Sequence, residues 1–371
     1  MRRYGKPPFE LALIVTRNCN LNCVYCYEHN KNLEVISKEA AKKAINNVLS
    51  NGDYDEVHIS FFGGEPFLEF DIIKEICEWT WSKKWNKKYI FFTNTNGTLI
   101  TEEIKEWTTR HKHIFKLGLS LDGTKETHNL NRCNSFDDID LDFFYNNWKE
   151  QPVKMTISDK NLGNLANDII FIHEKGFKIG GCNFAEGVEI QNFEENYKII
   201  SLQLQILYDY YLNHPEVEIP PSLKMSLASC EYPENMREKR CGVGENMAVI
   251  DIDGSSYPCS YFSSLSMSGE ALAGILSLDF KNKDLFIENE CVDNCYLYPV
   301  CHSCYGDNYT FTGKLSKCSS QKCELNKLKA VAYSNYKAKE MIRRKKMLKI
   351  TEEDLATIRA IQKIQKLISN I

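Results

Sequence analysis

The chain lacks any run of 18 apolar residues, so no segment has the length that a membrane-spanning helix requires. A secretory signal is missing as well. The opening stretch "MRRYGKPPFELALIVT" has two arginines, but its apolar run, Leu11 to Val15, is too short for an h-region followed by a cleavage site. There is no basic excess either: 46 Lys and Arg stand against 50 Asp and Glu, for a formal charge of -4, which argues against a nucleic-acid partner. Internal repeats and low-complexity tracts do not stand out. These absences predict a cytoplasmic protein with no membrane and no nucleic-acid contact. The length of 371 residues and the 43% hydrophobic content suit one large α/β domain with a smaller one beside it.

Cysteine is plentiful. The chain has 15, and in a cytosolic protein of this size clustered cysteines more often bind metal or carry out redox chemistry than form disulfides. Three fall at positions 19, 23 and 26, and nine crowd between Cys230 and Cys323. The odd total argues against a closed disulfide framework. Cys77, Cys133 and Cys182 stand alone and read as small buried hydrophobes.

From residue 11 to about 213, short β-rich runs alternate with helical patterns. The expected strands are 11–16, 57–62, 89–93, 115–121, 153–158 and 177–184. Between them lie helical spacings such as Ala41, Ile45, Val48 and Leu49 after a Ser37 cap, or Ile104 and Trp107 after Thr101. Strict alternation implies parallel strands covered by helices, and right-handed connections curl six such units into most of a barrel. The expected fold class is therefore α/β, a partial (β/α)6 TIM-like barrel over 11–215, then a small irregular cysteine-rich domain over 225–325 and C-terminal helices over 326–371. "IDIDGSSYPC" reads as a hairpin with Asp-Gly at its turn. "TEED" at 351 caps a last helix with an apolar stripe, Leu355, Ile358, Ile361, Ile364, Leu367 and Ile368, expected to dock on the body.

Functional residues in such folds sit at the carboxyl ends of the strands. There the sequence places "TRNCNLNCVYCYEHN", "FFGGEPFL", "TNTNGTL" and "SLDGTKETHNLNR". Three cysteines spaced C-x3-C-x2-C suit tetrahedral zinc poorly, since a structural zinc takes four protein ligands. They suit a 4Fe-4S cluster that keeps one iron open for a small molecule.

"CNLNCVYC", with an aromatic before its third cysteine, resembles the signature of the radical S-adenosylmethionine (SAM) enzymes, and "FGGEP" resembles their SAM-amine motif. The resemblance implies that Cys19, Cys23 and Cys26 hold a SAM-binding 4Fe-4S cluster. It places Tyr25 near the adenine, Gly63, Gly64 and Glu65 near the methionyl amine, and Ser120 and Asp122 near the SAM carboxylate or ribose. Arg132 is implied as a carboxylate partner. "CGVGENMAVIDIDGSSYPC" and "CVDNCYLYPVCHSC" resemble the SPASM extension of radical SAM enzymes that modify peptides, which holds two auxiliary 4Fe-4S clusters. By that pattern Cys241, Cys259 and Cys304 serve one cluster, with Cys230 as a fourth ligand, and Cys291, Cys295 and Cys301 serve the other. Cys323 fits the usual spacing of the last ligand better than Cys318. Here the gaps in the second stretch are three, five and two, against the usual two, five and three.

The resemblance implies a maturase that takes hydrogen from a ribosomally made precursor peptide and closes a C-C, C-O or thioether crosslink, with an external one-electron reductant. Alternatives are a peptide epimerase using Cys182 or Cys318, an anaerobic sulfatase maturase, and a non-enzymatic iron-sulfur scaffold or electron carrier. Sulfatase maturases carry an aspartate directly after the cysteine corresponding to Cys259, where this chain has Ser260. Asp159 and Glu186, following the fifth and sixth strands, are the expected bases for proton removal. Because the first strand begins by residue 11, leader recognition is expected to fall to a separate leader-binding protein, the barrel mouth or the C-terminal helices.

Overall fold

The computed structural model describes residues 7–232, 238–344 and 350–368. In chain order its strands and α-helices are β1 (Phe9–Thr16), α1 (Lys38–Ser50), β2 (Glu56–Gly63), α2 (Phe70–Trp81), β3 (Lys88–Thr95), α3 (Glu102–Arg110), β4 (Phe115–Leu119), α4 (Lys125–Asn131), α5 (Leu141–Trp148), β5 (Val153–Ile157), α6 (Leu165–Glu174), β6 (Ile179–Phe184) and α7 (Phe193–Asn213). The cysteine-rich part adds β7 (Met247–Ile250), β8 (Ser256–Tyr257), α8 (Gly269–Leu276), α9 (Asn289–Asn294) and α10 (Tyr305–Thr312), and the chain closes with α11 (Ser320–Arg344) and α12 (Glu352–Ile368). The fold is the expected mixture of parallel strands and covering helices, and all six expected strands form. Among the described residues no helix is long and apolar enough to cross a membrane.

Two compact units divide the chain. The first comprises residues up to 121, 128–154 and 241–282; the second comprises 122–127, 155–240 and 283 onward. In the first, the sheet runs β4-β3-β2-β1-β7-β8, with β1 to β4 parallel and each hydrogen-bonded to the next. Leu11, Leu13, Ile14 and Val15 are all buried, as in a parallel strand covered on both faces. Phe61 stacks between Phe91 at 5.5 Å and Phe115 at 6.3 Å, and Trp107 of α3 meets Phe115 edge-on. Burying each ring contributes roughly 1.5–3 kcal/mol. The helices start where expected: Ser37 Oγ accepts the Ala40 amide and Thr101 Oγ1 accepts that of Ile104.

The Asp-Gly hairpin forms as β7 and β8, closed by Gly254 N–H to Asp251 O at 2.9 Å, with Gly254 at φ +85°. Its docking is a new feature. β7 lies parallel to β1 in the register Glu10 to Met247 through Leu13 to Ile250, which covers an edge that would otherwise present unpaired backbone groups.

In the second unit β5 and β6 pair in a two-stranded sheet. α6 packs on α7, α7 on α11, and α11 on α12. Thr351 and Asp354 exchange the capping bonds read from "TEED". The expected apolar stripe of α12 is only half used, because the helix docks on Ala356 and Ala360 with Ile361 and Ile364, while Leu355 and Ile358 stay exposed. Two small alanines allow the close approach that larger side chains would prevent. The side chains of Leu367 and Ile368 lie outside the described residues.

Candidate active site

The three-cysteine loop follows β1 and has no regular secondary structure, yet neighbouring backbone groups hold it in place. Gly64 N–H donates to Thr16 O at 3.1 Å, Glu65 N–H to Asn18 O at 2.9 Å, and Val24 N–H to Asn131 O at 3.0 Å. Cys19, Cys23 and Cys26 are half-buried and none is in a disulfide. Burial raises the Cys19 thiol, while Cys26 and Cys19 help to raise the Lys31 ammonium despite its own burial. Among the described residues no three His, Cys, Asp or Glu side chains converge on a single metal ion. A cluster differs from a single ion in that each thiolate binds a different iron, so its sulfurs stand further apart. Three half-exposed thiols on a loop fixed from three sides are a donor set that fits such a group.

The glycine pair after β2 is a close approach that excludes side chains. Gly63 sits at φ +125°, and a Cβ there would meet Thr16 O at 2.1 Å; at Gly64 it would meet Asn18 O at 2.0 Å and Cys19 Cβ at 3.0 Å. Only glycine lets this strand end press so closely on the cysteine loop. Glu65 is buried, and its carboxylate faces the protein: Oε1 accepts the Thr95 hydroxyl at 2.7 Å and the Phe67 amide at 3.1 Å, and Oε2 accepts the Asn96 amide at 2.8 Å. Burial raises its pKa against these bonds and the Arg132 charge. Asn96 Nδ2 then donates to Asn20 Oδ1 at 2.8 Å, and Asn20 Nδ2 to Thr98 Oγ1 at 2.8 Å. The loops after β1, β2 and β3 are thus stitched together through side chains. Asn20, Thr95 and Asn96 were not among the expected site residues, although "TRNCNLNCVYCYEHN" contains Asn20 and "TNTNGTL" contains Thr95 and Asn96.

Tyr25 lies under the Arg132 guanidinium, 5.4 Å from ring centroid to charge. Ser120 Oγ accepts from Asn94 Nδ2 at 2.8 Å. Asp122 falls in the second unit, where its buried Oδ1 accepts the Thr156 amide at 3.0 Å. Glu28, two residues beyond Cys26, was not anticipated. Burial pushes its carboxyl up to about 8, against the pull of Lys31 and Lys154, so it can hold a proton at neutral pH. Tyr27 stacks on Tyr261 at 5.4 Å and turns its hydroxyl toward Ser260 Oγ at 3.5 Å. Arg17 reaches the docked hairpin: its Nη2 lies 2.7 Å from buried Asp251 Oδ2 and bonds Ser264 Oγ at 2.6 Å.

Cys77 and Cys182 are buried as expected. Cys133 is not. It is exposed at φ +56°, and its Sγ accepts the Asn22 amide at 3.2 Å, which makes it a support of the cysteine loop and no part of the core.

In the first unit Cys241 and Cys259 interact, and burial pushes the Cys259 thiol up to about 11. In the second, Cys291, Cys295, Cys301 and Cys323 interact with one another. Cys318 bonds both Cys301 and Cys323, which lowers the pKa of each of those thiols, and Asn326 Nδ2 donates to Cys301 Sγ at 3.3 Å. Five thiols therefore share this neighbourhood, and Cys230 interacts with Cys295. Cys304 lines a cavity at the end of β6. Asp159 is exposed and its Oδ2 accepts the Gln191 amide at 3.1 Å. Glu186 pairs with Lys322 at 3.2 Å, and burial raises its carboxyl.

Residues 13–140 match the Radical SAM superfamily. An uncharacterized protein of Methanocaldococcus jannaschii is 40% identical over 114 residues, 30% of this chain and 38% of that protein. The cysteine-type anaerobic sulfatase-maturating enzyme of Clostridium perfringens (strain 13 / Type A) is 28% identical over 289 residues, 69% of this chain and 75% of that enzyme. The structure of native anSMEcpe with bound AdoMet and Cp18Cys peptide has the same fold, with a TM-score of 0.67 at 21% identity over 92% of this chain and 100% of that one. So does Streptococcus suis SuiB bound to precursor peptide SuiA, with a TM-score of 0.53 at 18% identity over 85% of this chain and 76% of that one.

Proposed function

We propose, from the premise that this chain is a radical SAM enzyme, that it installs an intramolecular crosslink in a ribosomally made peptide. The observation that carries this reading is the three-thiol loop stitched to the Gly63-Gly64-Glu65 turn, in a chain with a second, separate field of cysteines. When bound, SAM and its 4Fe-4S cluster supply a 5'-deoxyadenosyl radical that takes hydrogen from an unactivated C-H, and two auxiliary 4Fe-4S clusters of a SPASM domain supply a one-electron sink. Cys19, Cys23 and Cys26 hold the first cluster. Cys291, Cys295 and Cys301 hold one auxiliary cluster, completed by Cys323 or Cys318, and Cys241 and Cys259 serve the other. The Gly63-Gly64 turn leaves room for the methionyl amine, Glu65 fixes that turn from behind, and Tyr25 with Arg132 lies beside the adenine and carboxylate ends of SAM.

Ring closure leaves one electron to be lost from the substrate, which is where a second redox centre is needed. Proton removal falls to Asp159 or Glu186. Sulfatase maturation is less well supported, despite the similar sequences, because Ser260 stands where those enzymes carry an aspartate. The partners in this reading are a precursor peptide and an external one-electron reductant.

A second reading, epimerisation, has one observation in its favour. Burial pushes the Cys182 thiol up to about 12, so it keeps the S-H that hydrogen return to a substrate radical requires. Mass spectrometry of the co-expressed peptide separates the two. A crosslinked product is lighter by two hydrogens, whereas an epimerised one keeps its mass and takes deuterium from heavy water. A product heavier by one oxygen would contradict both.

A further inference from the structure

A cavity of about 280 Å3 lies in the second unit at the carboxyl end of β6. Cys182, Phe184 and Leu325 line it, together with Cys304, and Lys322 and Lys329 enter it from α11. Pockets that enclose a whole small ligand run to about 300–1,000 Å3, so this one suits a single side chain or a chain end. Its polar groups are mostly engaged already. Ser222 Oγ donates to Cys182 O at 2.8 Å and accepts the Cys182 amide at 3.2 Å. Asn326 Nδ2 is spent on Cys301 Sγ and His302 O, each at 3.3 Å. Lys322 Nζ lies 3.2 Å from Glu186 and 3.5 Å from Asp307, so two carboxylates share that ammonium.

Lys329 differs. It makes no hydrogen bond or ion pair with any described residue, although the groups packed around it strip away much of its water. Cys301, Cys182 and Glu186 act on it only through space, without a hydrogen bond. A desolvated cation with no hydrogen-bonded counter-ion costs free energy that a bound anion removes. Carboxylate is the anion that peptides carry.

We propose that this cavity is a carboxylate pocket, in which Lys329 Nζ holds an acidic side chain or the C-terminal carboxylate of the substrate peptide while its methylenes pack on Phe184 and Leu325. The pocket deepens the peptide-maturase reading and rests on it. An ammonium placed there fixes one end of the peptide at the strand ends where barrel enzymes collect their functional groups.

Three probes distinguish the sources of the carboxylate: N-acetylglutamic acid α-amide, its isomer N-acetylglutamine, and the neutral N-acetylglutaminamide. Binding to the reconstituted full-length enzyme is followed by saturation-transfer NMR without reductant, so the result does not depend on SAM cleavage. At least one acid is expected to bind about tenfold more tightly than the neutral amide. Preference for the side-chain acid assigns an acidic residue, and preference for the α-acid assigns the chain terminus. Lys329→Met should abolish the preference, Lys329→Arg should retain it, and Lys339→Met, on the same helix outside the cavity, should leave it unchanged; matching melting temperatures show that the variants are folded. Equal binding of acids and amide, no detectable binding of any probe, or a preference that survives in Lys329→Met would overturn the proposal. SAM cleavage measured on the same preparation shows whether the wider reading stands independently.

Discussion

Glu65 and Asn96 are joined by a 2.8 Å hydrogen bond from the Asn96 amide to Glu65 Oε2, and through Asn96 Nδ2 the bond continues to Asn20 in the cysteine loop. The carboxylate that follows the glycine pair is thus a brace between three strand ends.

Glu65→Gln sets an amide donor against a buried donor at Asn96 or Thr95. Removing one partner of a buried bond to a charged group costs about 2–3 kcal/mol, so the melting temperature should fall, and SAM affinity should fall with it. An unchanged melting temperature would show that the brace carries no load.

Gly64→Ala places a methyl 2.0 Å from Asn18 O, which backbone must move to relieve. Overpacking of this kind costs about 1–3 kcal/mol, and here the displaced atoms belong to the loop that carries Cys19. Iron incorporated on anaerobic reconstitution should drop by about one cluster, or four irons, while circular dichroism stays close to that of the native protein. Full iron content would contradict the close fit.

Asp251 and Arg17 form a largely buried ion pair between the docked hairpin and the residue just ahead of the cysteine loop. Breaking such a pair costs about 3–5 kcal/mol, because one charge is left buried and uncompensated. Asp251→Ala should therefore destabilise strongly, and the double variant Asp251→Ala with Arg17→Met should be less unstable than the sum of the single changes. Additive urea midpoints would show that the pair does not couple.

The strands and the three-cysteine loop were legible because their signals are local: short β-rich runs, an N-cap serine, three cysteines within eight residues. Other features depend on residues distant in the chain. Nothing in "MAVI" says that it will pair with "ELAL" more than 200 residues earlier. Glu28 feels the charge of Lys154, far along the chain, and the support that Cys133 gives to Asn22 follows from a left-handed turn after α4. The α12 stripe is only half used for a similar reason, since Ala356 and Ala360, outside that stripe, are fully buried.

Asp168 gives a pH signature. It is fully buried, with Thr124 bonded to Oδ1 at 3.0 and 3.1 Å, and burial raises its carboxyl from 3.8 to about 6. The folded protein holds this proton more tightly than the unfolded chain does. Stability from the group is therefore complete below the ordinary carboxylate range and is lost as pH rises through about 6, by up to about 3 kcal/mol. Asp168→Asn keeps the acceptor without the charge, so the variant should gain on the wild type between about pH 4 and about pH 6. Urea midpoints that keep a constant difference across that range would contradict the assignment.

Iron and sulfide counting on the wild type and on a Cys19, Cys23, Cys26 triple alanine variant, with 5'-deoxyadenosine measured under dithionite, tests the central claim most directly. The expected result is about twelve irons falling to about eight, with nucleoside formation abolished. A triple variant that still cleaves SAM would contradict the assignment of these thiols and the chemistry built on them.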